Sequence, residues 1–412
     1  MSISAIRIAE AGLPRGDALW LAAVRGKLGP MLHAGRVTFP APPPSPAWKA
    51  RFRQDYFASV VSHHLYRGAA VEILREADKR GIPAVLLRGT AVAERYYPED
   101  PALRPYTDID LLVPRERLEE TKQLARQLGY RPSAGAFPDA FYERHHLHLR
   151  YLGTRSGMPL EIHWAVDHPL STHRIDYAAL FAATSADTLA GAPVLRLSAT
   201  DEFLLLALHL AKHASAVHGL PPALLAGRAV ERGLVLWMLD LHRIVALRGP
   251  AFDWDALLAR AEEWEVTAQV GAALGATATV LGTQVPGAVR RRLLAADAVS
   301  PLERACARLA NGRGPLSRRL RAWSGKLSAG PAFFSLERGA EVGRILFPSA
   351  AWVRRHAPAP ALPLLVRRGL HAACTAGRGF GMIAEIAALV AARASRRLTR
   401  REALPEAREH TA

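Results

Sequence analysis

Apolar residues at positions 56, 60, 65, 71, 74 and 77 recur at helical spacing and predict a helix over residues 54–80. Gly81-Ile82-Pro83 closes that helix, because proline cannot continue it. Ahead of it, residues 18–28 predict a short helix. Phe39-Pro-Ala-Pro-Pro-Pro-Ser-Pro46 reads as an extended spacer. The pattern then shifts to short apolar runs. Residues 84–87 have strand length, residues 91–97 return to helical spacing, and Pro98-Glu-Asp-Pro101 is turn chemistry. Residues 108–113 alternate at their start and predict a strand, Pro114 opens a helix over 115–128, and Gly129 ends it. Residues 141–152 and 158–164 predict two further strands, joined by the hairpin-like loop 153–157.

From Ser198 onward the pattern is helical. Ser198 and Asp201 form a variant of the capping box ahead of a helix over 203–213, and helices over 234–247, 254–264 and 266–281 follow. Pro286 opens a region rich in arginine, with Arg290-Arg-Arg292 and Arg318-Arg-Leu-Arg321. Ala357-Pro-Ala-Pro-Ala-Leu-Pro363 splits it, and a last helix is predicted over 383–397. No repeat of fixed period is evident. The expected class is α+β, with a small mixed-sheet core followed by an α-helical C-terminal region. Four parts are expected: an N-terminal helix with its Pro-rich spacer (1–46), the mixed core (47–195), a helical domain (196–285) and a basic helical region (286–412).

Composition narrows the class. Half of the 412 residues are hydrophobic and 22% are charged, which excludes a disordered chain. Only Cys306 and Cys374 are present, too few for a disulfide scaffold or a four-cysteine zinc site, so a reducing cytoplasm is expected. Apolar runs such as 203–208 fall short of the ~20 residues of a membrane span. Arg7 and Glu10 leave no room for the apolar stretch of a secretory signal. The formal net charge of +17 is unevenly spread: residues 286–412 hold 23 Lys and Arg against 8 Asp and Glu, a net +15, and the preceding 285 residues hold +2. That asymmetry reads either as a surface for an acidic partner, nucleic acid or an anionic membrane face, or as the drift of an Ala/Arg/Leu-heavy sequence.

The chemistry gathers between residues 84 and 164. Asp108 and Asp110 are two apart on a predicted strand, so both carboxylates share one face while Ile109 and Leu111 point into the core. Two like charges side by side favour a cation between them, and hard oxygen donors without cysteine suit Mg2+ or Mn2+. Two solvated aspartates on an edge strand would have the same spacing. Arg88-Gly89-Thr90 follows a strand and precedes a helix, where glycine permits close backbone approach and free N–H groups face phosphate oxygens. Glu161 sits within Pro159-Leu-Glu-Ile-His-Trp164 with His163 on the same face, and a carboxylate there needs a partner if it is buried.

In that order, Val85-Leu-Leu-Arg-Gly-Thr90, Arg104-Pro-Tyr-Thr-Asp-Ile-Asp-Leu-Leu-Val113 and Leu160-Glu-Ile-His-Trp164 resemble the uncharacterised nucleotidyltransferases of the DNA polymerase β-like superfamily. The resemblance covers residues 81–167 well and extends more loosely through 201–247, where His209, His213, Trp237 and Asp240 lie. The family commonly has Lys where this chain has Arg88. The resemblance implies a nucleotidyltransferase core. Asp108 and Asp110 would hold Mg2+ on the phosphates of an NTP, and Glu161 would help to hold a second ion near the α-phosphorus and the acceptor hydroxyl. Transfer of the NMP would release pyrophosphate. Gly89, Thr90 and Arg88 would cradle the phosphates. Arg104 would either neutralise developing charge or orient Asp108 through a salt bridge.

The remaining histidines and tryptophans are weighed separately. His146 and His148 are expected on one strand face with His145 on the other, and one of them, with His163, would line the nucleotide cleft or shield Glu161. Without an accompanying cysteine they make a poor zinc site. His209 and His213 are expected to hydrogen-bond across the domain interface, with a role near the acceptor as the alternative; Trp237, Trp254 and Trp264 are expected in the core, with stacking platforms as the alternative. The acceptor would be a peptide, a sugar or another small molecule, with tRNA or other RNA as the alternative suggested by the basic third. A non-catalytic nucleotide- or RNA-binding protein is the reading from another class, and attachment of the last helix to anionic lipid is a third.

Overall fold

The computed structural model describes residues 5–10, 13–133, 137–214, 230, 233–293, 344–357 and 359–402. Cys306 and the Arg318-Arg-Leu-Arg321 cluster lie outside the described residues. The architecture is α+β. Its centre is a mixed sheet of seven strands in the order β5-β6-β7-β4-β3-β9-β8. These are β3 (Val85–Leu86), β4 (Ile109–Leu112), β5 (Tyr130–Pro132), β6 (His148–Gly153), β7 (Pro159–His163), β8 (Ser185–Leu189) and β9 (Ala192–Arg196). β4 runs parallel to β7 and antiparallel to β3, and β3 runs parallel to β9. A separate parallel pair joins β1 (Ile6–Arg7) to β2 (Val37–Thr38).

Period-two alternation divides the sheet's side chains between two cores. Leu86, Ile109, Leu111, Leu160 and Ile162 pack with Ile73 and Leu74 of α3 (Pro46–Lys79) and with Leu124 of α5 (Leu118–Gln127). Val85, Leu87 and Leu112 face the other way, into a cluster with Phe203, Leu239 and Val270. Those three residues come from α8 (Ala199–Ala214), α9 (Val235–Arg248) and α11 (Thr267–Leu281). Leu19, Trp20 and Leu28 from the N-terminal segment enter the same cluster, so that segment and the helical layer share one core. Trp264 at the end of α10 (Trp254–Glu263) is fully buried there, as expected; Trp237 and Trp254 only border it.

Local chemistry moves several predicted boundaries. α3 begins at Pro46 because Ser45 caps it, its hydroxyl accepting from the Trp48 N–H, and proline suits the first turn. The face of α3 is also less regular than the spacing implied, since Leu65 is 59% exposed. α1 (Asp17–Arg25) stops short of Leu28, at Gly26. The predicted helix over 115–128 opens as a 3-10 turn at Arg115–Arg117. The strand expected from residue 141 is instead helix α6 (Asp139–His145), and extended structure starts only at His148. Pro138 and Asp139 favour a helix start, and Phe141 stacks on Phe137 and on the His145 ring one turn later, at 4.5 and 4.8 Å between ring centroids. His145 therefore lies at a helix end and His146 just beyond it, neither on a strand face. The β8–β9 hairpin carries no apolar alternation strong enough to predict it.

The capping-box variant forms in half: the Asp201 N–H donates to the Ser198 hydroxyl, which in turn donates to the Asp201 carboxylate. α12 (Gly287–Leu293) opens the basic region. Residues around 357–363 separate α13 (Ala350–His356) from α14 (Leu364–Glu402), a helix much longer than the predicted 383–397. No helix among the described residues is long and apolar enough to cross a membrane.

Candidate active site

The site forms where the polar face of β4 and β7 meets the helical layer. Asp110 lies directly opposite Glu161 in the register of these parallel strands, and Asp108 immediately precedes β4. The alternation that buries Ile109, Leu111, Leu160 and Ile162 on one face turns Asp110, Glu161 and His163 to the other. All three carboxylates line one cleft of about 510 Å³.

Each carboxylate has a different electrostatic setting. Asp110 is buried and receives both ends of the Arg88 guanidinium, Nε at 2.9 Å and Nη2 at 2.6 Å, and His163 Nε2 at 3.0 Å. Burial opposes its ionisation, but the Arg88 charge and the His163 hydrogen bond outweigh that and hold the carboxyl well below its ordinary range. Asp108 is pushed upward, first by burial and then by repulsion from Asp110 and Glu161, against the pull of Arg88 and Lys27. Glu161 stays below its usual value: burial opposes ionisation, and His163 and His148 offset it.

The two histidines beside the carboxylates shift in opposite directions. Burial works against a charged His163, yet its bonds to Asp110 and Glu161 raise it above the ordinary imidazole value. His148, beside it with ring centroids 4.7 Å apart, is pushed down to about 3 by burial and by the His163 charge. Its Nδ1 is buried without a hydrogen-bond partner. His148, Glu161 and His163 each present one ligand-capable atom, all within 4.8 Å of one another.

The cleft brings most of the expected residues together, with two changes of role. Arg88, Gly89, Arg104, Asp108, Asp110, Glu161 and His163 all line it. Gly89 has φ +51, and a Cβ there would lie 3.2 Å from both the Asp108 carbonyl and the Tyr106 ring, so glycine is required. Thr90 is buried, and its hydroxyl donates to Tyr106 at 3.1 Å, turned away from the cleft. Arg104 does not bridge to Asp108. Its guanidinium is buried against Asp240 of α9, with Nη2 donating at 2.8 Å, and Tyr97 donates to the same carboxylate.

Other lining residues were expected there only as alternatives, or not at all. His209 accepts from Arg88 Nη1 through Nδ1 and is held well below its usual value, by burial and then by the Arg88 charge. Trp237 packs edge-on against His209 at 4.5 Å and faces His213 at 4.9 Å, forming an aromatic wall where a core residue was expected. The i, i+4 spacing of the two histidines was the available signal. Lys27, from the turn after α1, had none.

The sequence profile of the uncharacterised nucleotidyltransferase family matches residues 15–282, about two thirds of the chain, and contains every residue of this cleft. The chain belongs to this family. A solution structure of the antibiotic-resistance factor ANT(2'')-Ia is similar at 18% identity and a TM-score of 0.25, covering 45% of this chain and 96% of that one. No curated protein sequence matches the chain. The matched span includes the glycine turn after β3, the two aspartates at β4 and the third carboxylate on β7.

Proposed function

We propose that this nucleotidyltransferase-family protein moves a nucleoside monophosphate from an NTP to a hydroxyl or phosphate acceptor and releases pyrophosphate. The observation that carries the reading is the register pairing of Asp110 with Glu161, with Asp108 beside them at the floor of the cleft. The donor set suits Mg2+ or Mn2+: three carboxylates, no thiol, and an Asp108 whose ionisation burial and its neighbours oppose until more positive charge arrives. Among the described residues Asp110 Oδ2 accepts only from Arg88 Nε, which leaves it a further lone pair. Asp108, Asp110 and Glu161 would hold the metal, which when bound would neutralise phosphate charge and lower the pKa of the acceptor hydroxyl.

The chain's own groups supply the rest. Gly89 lets the phosphates approach the backbone. Arg88 and His163 fix Asp110 in one orientation, and neutral His148 and Glu161 stand where an acceptor proton could be taken. The wall of Trp237 and His209 offers a stacking face for a ring, either the base or the acceptor. The acceptor is a peptide, a sugar or another small molecule on this reading. The net +15 of residues 286–412 favours RNA as the second reading. A non-catalytic role gives no reason for three carboxylates to converge.

A thermal-shift panel of ATP, GTP, CTP and UTP, each with and without Mg2+, tests the proposal. Stabilisation that needs both the metal and a triphosphate, and is lost in Asp108→Asn, is expected. No shift with any nucleotide overturns it.

A further inference from the structure

We infer that Lys27 anchors the phosphate tail of the donor triphosphate, entering the cleft from the N-terminal segment and not from the sheet. This rests on the nucleotidyltransferase reading above. Five lysines and arginines line the cleft among the described residues, Arg25, Lys27, Arg88, Arg104 and Lys212; two of them are engaged by carboxylates, Arg88 with Asp110 and Arg104 with Asp240. Lys27 Nζ instead donates to a neutral hydroxyl, Thr107 Oγ1 at 3.3 Å, one residue before Asp108. Partial burial lowers its pKa, Asp108 raises it and Arg104 lowers it again. An ammonium group in that balance gains from an incoming anion.

The backbone holds this side chain in place at a cost. Lys27 has φ +59, a left-handed conformation that strains a residue with a Cβ. The turn is nonetheless rigid: Gly26, Lys27 and Leu28 each donate a backbone hydrogen bond of 2.9 Å into α1. Leu28 and Ala23 are buried on either side. Gly26 is pressed against Gly233, beside α9, so closely that a Cβ on Gly26 would lie 3.0 Å from the Gly233 Cα. A strained lysine that two glycines and a buried leucine fix at the rim of a carboxylate cleft has a position the turn itself does not need.

The strain supplies the test. Lys27→Gly removes the ammonium and suits φ +59 better, so the full-length variant should melt at or above the wild-type temperature. Its affinity for the stabilising NTP, measured with Mg2+, should fall about 10- to 100-fold, the loss of a charge-assisted contact. Affinity for the matching NMP should stay within about twofold, and Lys27→Arg should recover most of the NTP affinity. Equal losses for NTP and NMP, or none for either, overturn the inference: Lys27 would then only position Asp108 or serve the turn. Wild-type protein that binds no nucleotide at all overturns the parent reading together with this one, whereas normal wild-type binding with an unaffected Lys27→Gly sinks the inference alone.

Discussion

Asp108 and Asp110 look equivalent in the sequence, and their surroundings make them different. Asp110 balances Arg88 and His163 inside the protein, whereas Asp108 is a carboxylate that its neighbours repel. Asp108→Asn should therefore abolish transfer and leave the urea midpoint unchanged or slightly raised. Asp110→Asn should abolish transfer as well, but it leaves Arg88 without its anion and should cost on the order of 3 kcal/mol in urea unfolding. Equal stability of the two variants would show that Arg88 finds another partner. The carboxylates themselves were legible, because two-residue spacing on a strand fixes a shared face. The distant partners of the cleft's arginines were not: Arg88 reaches His209 across 121 positions, and Arg104 reaches Asp240 across 136. No local pattern encodes contacts so distant in sequence, so Arg104 read either as a cation for developing charge or as a partner of Asp108, and Trp237 read as core.

At the scale of elements, α4 (Thr90–Tyr96) and the turn after it fasten the sheet to the helical layer through buried ion pairs. Arg104 pairs with Asp240, Arg95 with Glu202 at 2.6 Å, and Arg243 with Glu99 at 2.7 Å. Removing one partner of such a pair strands a charge. Asp240→Ala should destabilise by about 3–5 kcal/mol in denaturant unfolding and weaken nucleotide binding by loosening the cleft. Replacing both members, Arg104→Met with Asp240→Leu, should restore much of the stability. If the single variant costs under about 1 kcal/mol, the pair is not what joins the layers. Amphipathic helices such as α5 and α10 were legible because their burial follows a 3.6-residue period. α6 was not, since its aromatic and histidine run fits either period and Pro138 decides it. The β8–β9 hairpin was also illegible: its outward face on the sheet edge leaves little apolar alternation, with Ser185 and Ala186 exposed.

Over the whole molecule, charge and chemistry are segregated. The cleft draws its lining from residues 25–237, in a part of the chain with almost no net charge, while residues 286–412 carry +15. None of the described residues of that basic region lines the cleft, so gathering a polyanion and binding the nucleotide should separate by mutation. Arg396, Arg397, Arg400 and Arg401 cluster in the sequence of the last turns of α14. Changing all four to Glu should release the protein from single-stranded RNA at physiological salt. It should also flatten the log–log salt dependence of binding by about 3, since each phosphate contact contributes about 0.7. Mg2+- and NTP-dependent stabilisation should be unchanged if the cleft and the RNA surface are separate. If RNA binding persists with the wild-type salt slope, the basic third is not the RNA surface. If wild-type protein binds no RNA but co-sediments with anionic vesicles, the exposed Leu365, Phe380 and Ile383 of α14 explain why: a charged helix with bare apolar side chains suits a lipid surface better than a nucleic-acid groove.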